Sequence, residues 1–199
     1  LGPNSTSHIL EVLDDLVDDG ELDYVVISHD EVPHAGNTHH VLDAYPEATM
    51  VVKGDDGSGS RLHELVLEDI DDVRFVEFEE TIDLGGYTVE FVEPAIFDTA
   101  MTTWMFEHET KSLFTADSFG NPHHEDECTQ FTDEMTPMTW GRRMQYEGRA
   151  LPWFDYADFD RINSALDRVF ETYAPERILS SHGNPVRENA AAHLDIVKE

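Results

Sequence analysis

Cysteine is almost missing from this chain of 199 residues: Cys128 stands alone. That excludes an internal disulfide framework, and with it any zinc or iron–sulfur site built from the cysteines of one chain. Cys128 follows the acidic run Glu125, Asp126 and Glu127, which argues against a reactive thiolate. Positive charge is nearly as scarce. Lys53, Lys111 and Lys198 are the only lysines, and Lys and Arg together number 12 against 43 Asp and Glu, a formal net charge of −31. A surface of that sign repels nucleic acid and anionic membranes, so neither is expected as a partner. No apolar run is long enough to span a bilayer, and no basic-then-apolar leader opens the chain, so a cytoplasmic protein is expected. The chain begins at Leu1 rather than Met, which reads as a piece of a longer one.

Hydrophobic residues are not lacking. They make up 40% of the chain and follow organised patterns, so the low-hydrophobicity signature of disorder is absent. The length suits a single domain spanning residues 1–199. The acidic residues are spread along the chain rather than gathered in a tail, which resembles the surfaces of proteins from extreme halophiles, screened by concentrated salt.

Periodicity supplies an element order. Residues 5–19 place Ile9, Leu10, Leu13, Leu16 and Val17 on one helical face, with Ser or Thr ready as N-cap and Gly20 as stop. "DYVVIS" (23–28) is a short continuous apolar run, as in a buried strand. A loop at 29–34 follows, then a helix closed by Pro46, a second buried strand at 48–52 and a surface loop at 53–60. "VRFVEF", "TIDL", "YTVEFVE", "TTWMFEH" and "SLFTA" read as strands. Helical patterning prevails from 128 to 173 with breaks at Pro137 and Pro152, before a last strand "ERILSS" and a terminal helix. A mixed α/β domain with helices outside the sheets fits that order.

Metal-capable side chains follow three of these strands. His29, Glu31 and His34 arrive within six residues after "VVIS", Asp117 follows "FTA", and His182 follows "ILSS". Loops at strand ends are where a rigid scaffold can converge distant side chains. Imidazoles with carboxylates suit iron, manganese or zinc, and a bridging carboxylate keeps two cations close despite their repulsion. A structural role is the blander reading of His29, Glu31 and His34. For Asp117 it is a turn cap, and for His182 a loop histidine beside Gly183 and Asn184. His39 and His40 on a helix, and His123 and His124 in an acidic loop, read as solvated. Trp104, Trp140 and Trp153 read as core or interface residues.

"HDEVPH" has the spacing H-x-E-x-x-H. With "FTADSFG" and "ILSSHGNP" at their distances, it resembles the metallo-β-lactamase superfamily. Glutamate at the second position, where the general motif has histidine, resembles the flavodiiron branch and its H-x-E-x-D-H. The resemblance runs from about residue 5 to the end. It implies an αββα sandwich whose opening strands are missing from this chain, with His29 and Glu31 on one iron, His34 and His182 on a second, and Asp117 bridging. Two departures subtract one ligand from each ion. Pro33 stands where aspartate is expected, and residues 94–104 hold no histidine, leaving Asp98 as the nearest substitute. Two histidines and a carboxylate still form a set with open positions.

The resemblance implies reduction of dioxygen or nitric oxide, a small-molecule substrate, and electrons from FMN on a separate domain or chain, since no glycine-rich phosphate loop is present. Head-to-tail homodimers are implied by analogy. Two other readings stay open at the level of sequence. One is a hydrolase of esters or thioesters using zinc-bound hydroxide; the other is a metal-poor relic serving as a binding module.

Overall fold

Met50, Val51 and Val52 are all buried, because their strand is the middle one of a parallel sheet. A central parallel strand is covered by its neighbours' helices, which is why this segment reads as an unbroken apolar run instead of alternating. The computed structural model describes residues 4–17, 21–54, 70, 72–127 and 131–198. Its packing divides the chain into two compact units, Leu1–Phe78 with Thr99–Thr102, and Glu79–Asp98 with Thr103–Glu199.

The first unit runs α1 (Thr6–Leu16), β1 (Tyr24–Ile27), α2 (Val32–Ala35), α3 (Thr38–Ala44), β2 (Thr49–Lys53) and β3 (Val73–Val76). The three strands pair in parallel in sequence order, with Tyr24 opposite Thr49 and Met50 opposite Val73. Val25, Ile27, Ala35, Val41, Tyr45, Met50 and Val52 form its core, and Ile9, Leu10 and Leu13 of α1 pack against it. Of the five residues expected on the apolar face of the first helix, Val17 packs there too, but Leu16, at the last turn, is 75% exposed and faces solvent instead. Ser5 is its N-cap residue but makes no side-chain capping bond. Instead Thr6 donates from Oγ1 to Asn37 Oδ1 at 2.6 Å, tying α1 to the N-cap of α3. The segment expected as a loop at 29–34 closes into the one-turn α2, started by Pro33 at a position where proline's fixed φ and missing N–H cost nothing. Residues 55–60 of the expected surface loop, Gly20 and Cys128 lie outside the described residues.

The second unit holds β4 (Thr81–Asp83), β5 (Thr88–Val92), β6 (Trp104–Glu107), β7 (Ser112–Phe114), α4 (Trp140–Ala150), α5 (Phe159–Tyr173), β8 (Arg177–Leu179) and α6 (Ala190–Lys198). Strands β4 to β7 form an antiparallel meander, and β8 joins the edge parallel to β7, with Phe114 opposite Leu179. Trp104, Phe106, Leu113, Phe119, Leu166, Ile178 and Leu194 are among its core residues. Of the helical stretch expected over 128–173 with breaks at Pro137 and Pro152, the described residues form α4 and α5 as its two long helices. Thr139 caps α4 by accepting from Arg142 N–H at 3.3 Å, and Asp158 caps α5 by accepting from Arg161 N–H at 3.3 Å. Pro152 falls in the gap between them, as expected. Trp104 is a core residue, whereas Trp140 opens α4 and is 45% exposed. Among the described residues no helix is long and apolar enough to cross a membrane.

Candidate metal centre

Each unit gathers part of the predicted ligand set. In the first, the backbone leaves β1 at Ile27 and turns at once into α2, so His29, Glu31 and His34 lie at positions i, i+2 and i+5 around a single bend. One ligand atom from each falls within 4.8 Å of the others. The rings of His29 and His34 lie 4.1 Å apart at 42°. His29 is fully buried, and its Nδ1 stands 3.1 Å from the Ser28 hydroxyl. With the ring proton on Nδ1 donating to that hydroxyl, Nε2 becomes the ligating nitrogen. Metal-binding histidines are commonly oriented in this way. Glu31 caps α2 in an extended conformation without a side-chain capping bond.

In the second unit, the parallel pairing of β7 with β8 sends both chains out at the same end. Thr115 N–H donates to Leu179 C=O at 3.0 Å, and Ser181 N–H to Ala116 C=O at 2.7 Å. Those bonds carry the pairing past the strand ends, and Asp117 and His182, 65 positions apart in sequence, end side by side. His182 Nε2 lies 3.2 Å from Asp117 Oδ2. A carboxylate oxygen of Asp98 lies within 4.8 Å of one from Asp117. Asn121 and Asn184 lock the two loops reciprocally. Asn121 Nδ2 donates to Asn184 C=O and Asn184 N–H donates to Asn121 Oδ1, both at 2.7 Å. Gly183 between them has φ +81°, and a Cβ there would run into Asn121. Glycine meets both demands.

Three residues near this loop were not found by sequence reasoning. Tyr146 donates its hydroxyl to Asp117 C=O at 3.0 Å, Glu147 accepts from Phe119 N–H at 3.2 Å, and Arg143 donates to Gly120 C=O. Arg143 and Glu147 are completely buried, 3.9 Å apart, on α4. Burial pushes Glu147 up to about 7 against the opposing pull of Arg143. Burial, with the charge of Asp117 behind it, raises Tyr146 well above the usual phenol range. The signal in sequence was an i, i+3, i+4 trio on a helix, which by itself reads as a solvated face. His39 and His40 lie exposed on α3, in line with the solvated reading.

Two imidazoles with one carboxylate, and two carboxylates with one imidazole, are nitrogen and oxygen donor sets of borderline to hard character. They suit iron, manganese or zinc, and the excess of negative charge favours the harder ions. Asp98 and Asp117 so close together repel unless a cation or proton lies near. The residues therefore fit a metal.

No protein-family model matches the chain. A Nostoc sp. (strain PCC 7120) protein named as a diflavin flavoprotein, A 2, is 30% identical over 191 residues, covering 96% of this chain and 31% of its own length. A second from the same strain, named A 3, is 28% identical over 178 residues, covering 87% of this chain and 29% of its own. Among solved structures, rubredoxin oxygen:oxidoreductase from Desulfovibrio gigas superposes with a TM-score of 0.79 at 20% identity, covering 100% of this chain and 48% of that one. A metal-soaked flavodiiron core from Synechocystis sp. PCC6803 gives 0.77 at 23% identity, covering 98% and 46%. The chain thus spans about a third of the curated relatives and about half of the solved chains. Its mixed α/β fold matches the metallo-β-lactamase-like core of these flavodiiron structures, as the motif spacing led one to expect.

Proposed function

We propose that this chain is the metal-binding core of a flavodiiron-type oxidoreductase, which reduces dioxygen or nitric oxide with electrons from a flavin on another domain or chain. The observation that carries the reading is the His29–Glu31–His34 cluster, whose ligand atoms lie within 4.8 Å of one another directly after the half-buried strand β1. Its H-x-E-x-x-H spacing is the feature that separates the flavodiiron branch from the hydrolases of the same fold. The similarity to diflavin flavoproteins and to rubredoxin oxygen:oxidoreductase supports the same class.

Iron bound by these ligands supplies the one-electron chemistry that side chains lack. The chain's own residues hold and shape that site. The Ser28 hydroxyl, 3.1 Å from His29 Nδ1, would hold the ring with Nε2 as the ligating nitrogen. Glu31 replaces a neutral imidazole by a charged oxygen donor and so favours a harder, redox-active ion over zinc. Asp117 is a mostly buried carboxylate, and a buried charge is stabilised chiefly by an opposite charge in contact. His182 Nε2 lies 3.2 Å from Asp117 Oδ2, so the two side chains would together hold a metal ion placed there. His182 is 44% exposed along its side chain, leaving that edge open to a small molecule. A homodimer is the assembly this reading favours.

Elemental analysis of protein reconstituted with Fe(II) under argon in molar KCl tests the proposal. His34→Ala and His182→Ala should each lower bound iron sharply, because a coordinate bond is lost. His39→Ala and His123→Ala should leave it at the parental level. Equal losses from all four variants would mean adventitious binding and would sink the assignment. One zinc per chain in place of iron would move the protein to the hydrolases.

A further inference from the structure

The loop that carries Asp117 has an unfavourable backbone. Ala116 and Phe119 both lie in the left-handed region, at φ 48° and 64°, and neither is a glycine. Residues held this way persist only where their surroundings over-determine them, and they cluster at functional sites. What surrounds this loop is α4. Its Glu147 accepts from the N–H of Phe119, its Arg143 donates to the carbonyl of Gly120, and the Arg143 guanidinium lies 5.7 Å from the centre of the Phe119 ring. Both side chains are wholly buried.

We propose that Arg143 and Glu147 are positioning residues for the metal site. They clamp the backbone on the C-terminal side of Asp117 and thereby aim its carboxylate, without themselves touching the metal. The inference rests on the reading of Asp117 as a ligand. Stability alone does not account for the pair. A buried ion pair loses hydration on both partners, and apolar residues of similar volume commonly match or exceed its contribution to stability. Apolar residues cannot, however, accept from one main-chain N–H and donate to the next main-chain carbonyl. Those two directional bonds hold Phe119 in its left-handed conformation. Released from them, residues 116–120 relax towards ordinary backbone angles, and the Asp117 carboxylate turns from its place beside His182.

The test is titration of the chain with Co(II) in molar KCl, followed by visible absorption, with the thermal midpoint measured alongside. Arg143→Met/Glu147→Leu should still fold, its gain from removing a buried ion pair offset by the two lost main-chain bonds, and lose about 10- to 100-fold in Co(II) affinity, the range typical of groups that orient ligands, with an altered absorption band. Arg143→Met/Glu147→Gln, which restores an oxygen for Phe119 N–H, should recover much of that loss. A merely structural pair would give no such rescue. Parental affinity and spectrum in Arg143→Met/Glu147→Leu overturn the inference. Should that variant fail to fold, Glu147→Asp decides: it keeps the charge beside Arg143 but withdraws the oxygen from Phe119. A comparable loss of affinity supports the clamp, and parental affinity refutes it. Asp117→Asn separates the two levels of the argument. If it binds Co(II) as the parent does, Asp117 is not a ligand and the functional reading fails with it.

Discussion

Gly120 offers a clean test of how tightly α4 seats on the Asp117 loop. A Cβ placed on it would be driven into the Tyr146 ring and hydroxyl, so Gly120→Ala must displace that ring. Overpacking of this kind costs about 1–3 kcal/mol, and losing the Tyr146 hydroxyl bond to Asp117 C=O adds about 1 kcal/mol. Alanine also restricts the unfolded chain, and the φ of Gly120 is not in the glycine-favouring region, so about 0.4–1 kcal/mol is regained. The net loss is about 1–4 kcal/mol. For a chain of this size, that lowers the thermal midpoint by about 2–16 °C. The assay is a double-mutant cycle in molar KCl, read by circular dichroism. In a Tyr146→Ala background the obstacle is gone and only the unfolded-state effect remains, so Gly120→Ala should become neutral or stabilising there. An equal penalty in both backgrounds would show that α4 does not press on this loop.

Pro33→Asp places a carboxylate at the second position of α2, where the helix dipole welcomes negative charge; bound metal should rise while circular dichroism stays unchanged, and a folded variant that binds no more than the parent would show that position 33 does not face a metal. The thermal midpoint should climb steeply between low salt and molar KCl, since counterions screen the self-repulsion of a net charge of −31; a flat profile would remove the halophile reading. Burial, aided by Arg143, lowers His193 to about 4, so the folded state favours the neutral ring. The unfolded ring protonates first as pH falls, so this contribution is complete above about 6.5 and is lost between about 6.5 and 4. Allowing for the partial exposure of the ring, the loss is about 1–2 kcal/mol. The drop in urea midpoint from pH 7.5 to 4.5 should therefore shrink in His193→Gln, and an undiminished drop would refute the burial argument.

What the sequence determined by itself was whatever depends on short range. The parallel strands β1 and β2 were legible as short apolar runs; the central β2 buries three successive residues, whereas β1, at the end of the sheet, buries only alternate ones. The helix at 159–173 was legible because its apolar stripe must face a core. His29, Glu31 and His34 were legible as a cluster because one bend of main chain joins them, whatever the rest of the fold does. That the bend is a helical turn was missed, since Pro33 reads equally as a loop residue and as a helix starter. Asp117 and His182 could be named in sequence only one at a time, each as a residue after a strand. What joined them was the parallel pairing of β7 with β8, a contact across more than sixty residues whose register is set by hydrogen bonds and core packing. The Arg143–Tyr146–Glu147 trio was not legible at all. On a helix surface, i, i+3, i+4 polar residues are ordinarily solvated, and the same three letters describe both situations. Only the tertiary structure decided that this face turns inward, because the decision lies in which loop covers it and which main-chain groups that loop leaves to be satisfied.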